Sequence, residues 1–271
     1  MSGTLYICAT PIGNMEDITL RALRVLKECD AVACEDTRHS AVLLRHYEIH
    51  KPLISYHEHN EQQRSEQLLA RLEAGENIAL ISDAGMPCIS DPGYIAVQKA
   101  RERGISVTVL PGANAGLCAL VLSGMQCDRF VFEGFLPRTG KERRRRLEAL
   151  AKEERTVILH ESPHHLETTL EELFQALGER EAALAREITK LHEECILFSL
   201  SRWRDAVKNI RGEFVLVLAP KPQREEACLL PPREQVAALM AQGTEKKAAV
   251  KQVAQRMGVP KNEVYMEVTD L

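Results

Sequence analysis

The chain has 271 residues, of which 45% are apolar and 27% are charged, and its formal net charge is -4 at pH 7. This length is sufficient for two domains, and the small negative charge excludes a general attraction to nucleic acid, so any such partner must bind a local basic surface. No apolar run approaches the roughly 18 residues of a membrane-spanning helix, and eight scattered cysteines without a C-x-x-C pair predict reduced thiols in a cytoplasmic protein.

The first predicted strand, Leu5 to Ala9, ends in the loop Thr-Pro-Ile-Gly-Asn at residues 10–14. An apolar run that stops at turn residues is typical of a buried strand in an α/β sheet, where ligands bind beyond the carboxyl ends of the strands. A helix is predicted to follow as far as Lys27, with Asp17 or Thr19 as its cap. Because the loop has a single glycine, it is neither a dinucleotide fingerprint nor a Walker loop.

Two short strands are predicted next, at 31–33 and 53–56, and each ends in a row of polar residues. The first row is Glu-Asp-Thr-Arg-His at 35–39, and the second is His-Glu-His-Asn-Glu at 57–61. Two histidines beside carboxylates would suit a metal ion, but no third ligand stands at a recognisable spacing. We therefore predict no metal site, and a solvated loop that leads into an amphipathic helix at 63–73.

The apolar run Ile78 to Ile81 opens into a loop at 82–93 that carries Gly, Pro and two carboxylates. Gly and Pro residues let a backbone approach a ligand, and carboxylates accept hydrogen bonds from hydroxyl or amine groups. A similar loop at 111–116 follows the predicted strand Ile105 to Leu110. One such loop is equally well explained as an ordinary strand-to-helix connection. With the loop at 10–14 there are three, and in a parallel doubly wound sheet we predict that they converge at one edge.

The alternation of strands and helices begins again near Asp128, which predicts a second sheet. Its predicted strands lie at 129–133, 156–160, 182–186 and 213–219. We predict α/β domains at 1–113 and 114–222, with a linker rich in proline and charge at 220–232. The remaining segment, 223–271, is predicted to form a small module of three helices that resembles a helix-turn-helix.

The segment Arg138 to Arg146 has six positive residues against Glu142 alone. Four consecutive arginines occupy every side of a helix, so they cannot all be paired within the chain. We predict that this segment binds RNA phosphates, and the alternative is a solvated helix face with salt bridges to Glu142, Glu148 and Glu153. The predicted RNA-binding residues are Arg38, Arg138, Lys141, Arg143, Arg144, Arg145 and Arg146.

Several common chemistries have no motif in this chain. The sequence G-x-S-x-G is absent, no cysteine has a histidine in a nucleophilic context, and hydride transfer lacks its glycine fingerprint. What remains is a cleft lined by backbone and small residues, with scattered carboxylates and arginines. Such a cleft suits a cofactor that already carries the reactive group.

Eight short motifs form an ordered set over residues 4–220. They are TPIGN at 10–14, EDTRH at 35–39, SDAG-x-P at 82–87, SDPG at 90–93, PG at 111–112, FEGFLP at 132–137, ESPH at 161–164 and AREITK at 185–190. Together they resemble the ribosomal small-subunit RNA ribose 2′-O-methyltransferase I group of the tetrapyrrole (corrin/porphyrin) methylase superfamily. The chain departs from the usual pattern of that group at Ala9, at Met86 and in the segment 113–116.

The resemblance implies S-adenosylmethionine bound between two α/β domains, and a homodimer. It implies as acceptor the ribose 2′-hydroxyl of a cytidine in the decoding region of small-subunit (16S) rRNA. The implied cofactor-binding residues are Pro11, Gly13, Asp83, Gly85, Met86, Ile89, Gly112, Ala113, Phe132 and Leu136. The substitutions at Ala9 and Met86 retain the backbone plan of these loops.

A sulfonium methyl is intrinsically electrophilic, so the protein must mainly align the acceptor oxygen and exclude water, with help from a base or a cation. The candidates are Asp36, Arg38, Glu133, Glu161, Arg186, Glu187 and Lys190. From this set we predict Glu133 and Lys190 as catalytic residues. Two alternatives stay open: a methylase of a tetrapyrrole or another small acidic substrate, and a non-catalytic nucleic-acid-binding regulator that uses the helical module.

Overall fold

The structure is a computed structural model that describes residues 2–221 and 231–269. The chain divides into two compact units, Met1–Lys221 and Pro222–Leu271. The first unit contains two five-stranded sheets. Most of the predicted linker at 220–232 lies outside the described residues. The predicted division of the first unit into domains 1–113 and 114–222 stays a prediction.

The first sheet has five parallel strands in the order β3-β2-β4-β1-β5. These strands are β1 Thr4–Cys8, β2 Ala31–Cys34, β3 Leu53–Ser55, β4 Ile78–Leu80 and β5 Ser106–Leu110. The connecting helices are α1 Leu20–Glu28, α2 Thr37–His46, α3 Glu61–Glu73 and α4 Tyr94–Glu102. Apolar residues of α1 and α2 pack on one face of the sheet, and those of α3 and α4 pack on the other. The prediction of a parallel sheet covered on both faces is confirmed.

The start of α1 shows how local sequence fixes one of these elements. The Thr19 side chain accepts a hydrogen bond from the Ala22 backbone N–H at 3.1 Å. Thr19, and not Asp17, is therefore the cap of the helix. Because α1 begins there, residues 10–18 remain free to form the loop at the carboxyl end of β1.

The second sheet is mixed and has the order β6-β7-β10-β8-β9. Its strands are β6 Phe130–Phe135, β7 Thr156–Glu161, β8 Glu181–Arg186, β9 Glu194–Ser199 and β10 Phe214–Leu218. Only β6 and β7 are parallel. The helices α6 Gly140–Leu150 and α7 Leu166–Leu177 pack on one face, and α5 Ala115–Ser123 packs on the other. A short helix, α8 Trp203–Ala206, follows β9.

Strand β9 was not predicted from the sequence. It lies at the edge of the sheet and pairs only with β8 among the described strands. Edge strands contribute little buried surface on their outer side, so their apolar pattern is weak. In β9 Glu194 is half-buried and Leu197 is exposed, which is the reverse of a clean amphipathic strand.

The second unit contains three helices within residues 231–269. They are α9 Pro232–Ala241, α10 Lys246–Met257 and α11 Lys261–Glu267, in agreement with the predicted module of three helices. Val236, Val250, Val253 and Val264 form the centre of a small core. Gly258 ends α10 with a φ of 68°, the left-handed geometry that glycine adopts readily. None of the described helices is both long and apolar enough to cross a lipid bilayer.

Candidate functional site

The three loops that follow β1, β4 and β5 meet at one edge of the first sheet. The Thr10 backbone N–H donates to the Gly85 carbonyl at 2.9 Å, and the Gly85 N–H donates to the Thr10 carbonyl at 3.1 Å. The third loop is equally close, because a Cβ built on Gly112 would lie 2.7 Å from the Ala9 Cβ. The predicted convergence of the loops at 10–14, 82–93 and 111–116 is confirmed.

A cavity of about 370 Å³ opens between this edge and the second sheet. That volume is within the range of small-molecule sites. From the first part of the chain it is lined by Ile12, Asp83, Ala84, Gly85, Met86, Ile89, Ser90, Asp91, Asn114 and Ala115. From the second sheet and its loops it is lined by Phe135, His160, Glu161, Ser162, Pro163, Ile188, Glu213, Phe214 and Val215.

The cavity includes four of the ten residues predicted to bind the cofactor, all from the central loop. These are Asp83, Gly85, Met86 and Ile89. Gly85 has a φ of 82°, and a Cβ there would lie 3.2 Å from Ile12 Cγ2, so a side chain at this position would be both strained and crowded. Gly85 has no side chain and therefore lines the cavity with its backbone.

The other six predicted cofactor-binding residues are not part of the cavity lining. Pro11, Gly13, Gly112 and Ala113 lie in the converging loops beside lining residues. Phe132 contacts His160 edge-on, with ring centroids 5.2 Å apart. Leu136 packs into the core beneath α6 and α7, on the other face of the second sheet. Leu136 is therefore a core residue, and we do not carry it into the cofactor site.

Carboxylates line the side of the cavity formed by the first sheet. Burial, together with the negative charges of Glu35 and Asp83, raises the pKa of Asp91 to about 7, although a hydrogen bond from Ser82 acts in the opposite direction. Burial and the charges of Asp83 and Glu58 also raise the pKa of Glu35. Asp36, by contrast, accepts hydrogen bonds from Arg38 that hold its pKa at about 2. Asp36 is a permanently charged helix cap and not a base.

His160 lines the opposite wall and was not among the predicted site residues. Its ring lies edge-on to Phe132 and Phe135, with centroids 5.2 and 5.4 Å away. Burial lowers the pKa of the imidazole, so the ring is neutral at pH 7. Its Nε2 is buried and has no hydrogen-bond partner within the described chain. A buried polar atom without a partner, at the wall of a cavity, is typical of a position that a ligand completes.

Glu161 lies next to His160 and is held from behind by two helices. Its Oε1 accepts a hydrogen bond from the Ser162 N–H at 2.7 Å, and its Oε2 accepts one from the Thr169 hydroxyl at 2.5 Å. Thr169 in turn accepts a hydrogen bond from Arg143 Nη2 at 2.8 Å. This chain of bonds fixes the position of the Glu161 side chain in the cavity wall.

The two predicted catalytic residues lie outside the cavity lining. Glu133 stands at the bulge in β6 and forms an ion pair with Arg146. Lys190 binds Glu187 at 3.0 Å and Glu213 at 2.9 Å. Burial lowers the pKa of Lys190, but the hydrogen bonds to those two carboxylates outweigh it, and the net pKa lies above the usual value. Lys190 is therefore protonated at neutral pH and cannot act as a base.

Lys190 nevertheless links the two sheets near the cavity. A Cβ on Gly13 would lie 2.5 Å from Lys190 Cγ and 2.9 Å from Thr189 Oγ1. Glu187 and Thr189 both have positive φ, at 51° and 68°, which is an uncommon conformation for residues with side chains. The close approach explains why glycine follows Ile12 in the first loop.

The basic segment is only partly free for RNA. Arg143 is buried, and its guanidinium donates to Glu172 at 2.6 Å and to the Pro137 carbonyl at 2.9 Å. Its predicted contact with RNA is therefore not supported, because only 7% of the side chain is exposed and all three guanidinium nitrogens donate hydrogen bonds within the chain. Arg145 and Arg146 both pair with Glu142, as the alternative of a salt-bridged helix face predicts.

The remaining predicted RNA-binding residues are exposed. Arg38 pairs with Asp36, but its side chain is 91% exposed. Arg138, Lys141 and Arg144 are exposed and have no ion pair among residues 2–221 and 231–269. We call these three residues the basic surface. The sequence-based expectation that four consecutive arginines cannot all be paired is confirmed at Arg144.

The row of polar residues at 57–61 forms a helix start. The Asn60 side chain accepts a hydrogen bond from the His57 N–H at 2.9 Å, and α3 begins at Glu61. Across the described ranges of the chain, no group of three or more His, Cys, Asp or Glu side chains is arranged to hold a metal ion.

Comparisons with known proteins give consistent results. The family profile for tetrapyrrole (corrin/porphyrin) methylases matches residues 4–203. The chain is 46% identical to the "Ribosomal RNA small subunit methyltransferase I" of Halalkalibacterium halodurans, over 97% of this chain and 93% of that one. It is also 46% identical to the protein of the same name in Pasteurella multocida, over 98% of this chain and 96% of that one.

Solved structures with the same fold are more distant in sequence. A uroporphyrin-III-C-methyltransferase from Thermus thermophilus superposes with a TM-score of 0.57 at 20% identity, over 80% of this chain and 94% of that one. A diphthine synthase superposes with a TM-score of 0.63 at 15% identity, over 80% of this chain and 90% of that one. These two similarities concern the fold alone.

Proposed function

The chain belongs to the tetrapyrrole (corrin/porphyrin) methylase family, and on that premise we propose that it transfers a methyl group from S-adenosylmethionine to small-subunit ribosomal RNA. The observation that carries the proposal is the full-length similarity to proteins named ribosomal RNA small subunit methyltransferase I. We further propose the ribose 2′-hydroxyl of a cytidine in the decoding region as the acceptor. Because the proposed substrate is ribosomal RNA, we infer that the protein works in the cytoplasm.

The residues of the cavity fit the chemistry of this cofactor. Asp83 provides an acceptor for an ammonium or a ribose hydroxyl group, and the negative charge of Asp83 and Asp91 suits a nearby sulfonium cation. Gly85, whose Cβ position is crowded by Ile12, lets the backbone contact a flat group closely. The neutral His160 has one buried nitrogen free to form a hydrogen bond. A Thermus thermophilus structure of the same fold was solved in complex with S-adenosylhomocysteine.

When bound, the cofactor supplies an electrophilic methyl group, and its sulfur leaves as a neutral thioether. The chain itself must bind the acceptor in line with that group and exclude water. Ile12, Ile188 and Phe214 give the cavity its apolar walls, which limit hydration of the reacting oxygen. Glu161, fixed by Thr169 and Ser162, gives this wall a polar side chain in a defined position.

The charge of the cavity argues against a small acidic acceptor. Asp83, Asp91, Glu161 and Glu213 all line it, and a tetrapyrrole with several carboxylates would meet like charges there. A nucleoside entering from a folded RNA presents hydroxyl and amino groups to the cavity and keeps its phosphates outside. The regulator hypothesis does not account for the cavity, since a helical module that binds nucleic acid needs none.

We also propose that the protein is a homodimer, supported by apolar side chains left uncovered around α5. This helix is apolar on all sides, yet Leu117 is 49% exposed and Val121 is 76% exposed. Leu197, on the adjoining edge strand of the same sheet face, is 64% exposed. A helix without a polar side is normally buried. A second copy of the chain is a partner that is always present. Light scattering of the purified protein measures its molar mass and so distinguishes a dimer from a monomer.

The proposed function is tested with small subunits from cells that lack this methylation. We expect the purified protein to transfer radiolabelled methyl groups from S-adenosylmethionine to their rRNA, and the modified nucleotide to resist alkaline cleavage because its 2′-oxygen is blocked. A precorrin, offered as the acceptor in the same assay, serves as the comparison substrate. Label in a precorrin but not in rRNA would contradict the proposal, and so would an rRNA product that alkali still cleaves.

We expect the basic surface to contribute to RNA binding through charge. Replacing Arg138, Lys141 and Arg144 with serine should reduce the slope of log affinity against log salt by about 2, since each phosphate contact to single-stranded RNA contributes about 0.7. A matched control replaces Arg24, Lys27 and Arg101, which lie on α1 and α4, and changes the net charge equally. Equal slopes for the two triple variants, measured by filter binding, would mean that only net charge matters.

A further inference from the structure

Asp91 lies in the central loop at a point where the backbone is held in an unusual conformation. Cys88 and Ser90 have φ angles of 72° and 64° although neither is glycine. Such positions are energetically unfavourable for residues with side chains and persist where the surrounding structure enforces them, often at functional sites. The next side chain of this strained loop is that of Asp91.

The loop carries Asp91 to the boundary between the two sheets. A Cβ built on Gly134, at the bulge in β6, would lie 3.2 Å from Ser90 Oγ. Gly134 has a φ of 68°. Glycine is therefore favoured there both by the backbone conformation and by the lack of space for a side chain. The loop and the bulge thus touch each other, and Asp91 lines the cavity that also contains Phe135 and His160.

Among the carboxylates of the cavity, Asp83 and Asp91 make the fewest hydrogen bonds and ion pairs with the rest of the described chain. Asp83 accepts a hydrogen bond from the Asp36 N–H at 3.3 Å. Glu161 has both oxygens engaged, and Glu213 pairs with Lys190. Within the described chain, Asp91 interacts with the hydroxyl of Ser82 and with no cation. Its carboxylate is therefore available to a ligand.

Burial and the neighbouring charges together shift the pKa of Asp91. Burial raises it most, and Glu35, at the end of β2, and Asp83, in the same loop, raise it further, to about 7, against a lowering by the hydrogen bond from Ser82. The charge of His57, which follows β3, lowers the pKa of Glu35. His57 is not among the groups that shift the pKa of Asp91. A base is most effective when its pKa lies near the working pH, because it is then both available and strong enough.

We propose that the carboxylate of Asp91 is the general base that takes the proton from the acceptor hydroxyl. The inference rests on the proposed methyl transfer. The hydroxyl proton moves to a carboxylate oxygen of Asp91 while the hydroxyl oxygen forms its new bond to the methyl carbon. The electrons of the broken carbon–sulfur bond stay on sulfur, and Asp91 afterwards gives the proton to water.

The assignment has a consequence that does not depend on turnover. A positive ligand beside Asp91 favours its charged form and lowers its pKa, so cofactor binding near pH 7 releases protons. Release is greatest between the pKa of the complex and that of the free protein, and it vanishes well above or well below both. S-adenosylhomocysteine lacks the sulfonium charge and should release fewer protons. Calorimetry in buffers of different ionisation enthalpy measures this number.

The decisive variant is Asp91→Asn, which keeps the shape of the side chain. With cofactor at saturation, we expect single-turnover methyl transfer to undermethylated small subunits to fall by about 10²- to 10⁴-fold. The affinity for S-adenosylmethionine should change by less than about threefold at a pH well below the pKa of Asp91 in both the free protein and the complex, where its carboxyl is protonated, and it should fall above pH 8, where the unaltered protein carries the charge. Proton release on binding should be lost.

The comparison variant is Asp83→Asn, in the same loop. It should mainly weaken cofactor binding, and saturating cofactor should restore much of its rate. If Asp91→Asn behaves in this way, Asp91 is a cofactor ligand and the proposal is wrong. A single-turnover rate within threefold of the unaltered protein would also overturn it. If the unaltered protein releases protons but methylates no rRNA, the proposed function fails while the titration of Asp91 stands.

Discussion

Replacing Arg143 with alanine should lower the free energy of unfolding by about 3 kcal/mol, because breaking a buried ion pair leaves its partners without compensation. The guanidinium is buried and contacts Glu172, Thr169 and the Pro137 carbonyl. Glu172 is partly exposed and recovers some hydration, which keeps the loss at the lower end of the range for buried pairs. Urea denaturation followed by circular dichroism measures the change.

The neighbouring residue provides the control. Arg144→Ala removes an exposed side chain and should change the free energy of unfolding by less than about 0.5 kcal/mol. It should instead weaken RNA binding, which Arg143→Ala should not do at temperatures where the variant is folded. If Arg143→Ala keeps full stability but loses RNA affinity, the original prediction of an RNA contact at Arg143 is correct and its buried placement is not.

Replacing Gly112 with alanine should weaken cofactor binding by about tenfold or more. The added methyl would lie 2.7 Å from Ala9 Cβ, so the loops after β1 and β5 must separate. Overpacking of this kind costs about 1–3 kcal/mol, and 1.4 kcal/mol corresponds to a factor of ten in affinity. Titration calorimetry with S-adenosylmethionine measures the loss.

A second substitution tests whether the loss is steric. Ala9→Gly removes the methyl group that obstructs the new side chain, so the double variant Ala9→Gly, Gly112→Ala should recover most of the affinity. The coupling between the two positions follows from the double-mutant cycle. Additive effects, with no recovery in the double variant, would show that the close contact between these loops does not shape the site.

The sequence was sufficient to predict the parallel sheet and the convergence of its three loops. Each loop follows a short apolar run such as Ile78 to Ile81, and strand ends in a parallel sheet necessarily share an edge. The mixed second sheet was harder, because β9 is an edge strand with little apolar pattern. Its antiparallel pairing with β8 depends on contacts between segments that the local sequence does not specify.

The burial of Arg143 can be recognised from the spacing of residues in the sequence. Arg143, Leu147 and Leu150 stand four and three residues apart, so they share one helix face. All three are buried in α6. A basic residue in line with two leucines is therefore better interpreted as part of the core than as part of a phosphate-binding surface.

The site residues that were missed depend on how the two sheets meet. His160 lies at the end of a predicted strand, but only its position between Phe132 and Phe135 makes it neutral and buried. Asp91 belongs to a recognised motif, yet its pKa is raised first by burial and then by the charge of Glu35, a residue far away in the chain. Such effects arise from tertiary proximity and have no local pattern.

The cavity wall joins residues as far apart in the chain as Ile12 and Val215. A nascent polypeptide that has emerged only as far as β5 has the first sheet and its loops, but it lacks the wall supplied by His160, Ile188 and Phe214. Competence to hold a ligand therefore arises late in synthesis. We therefore expect that unfinished chains on the ribosome do not bind S-adenosylmethionine.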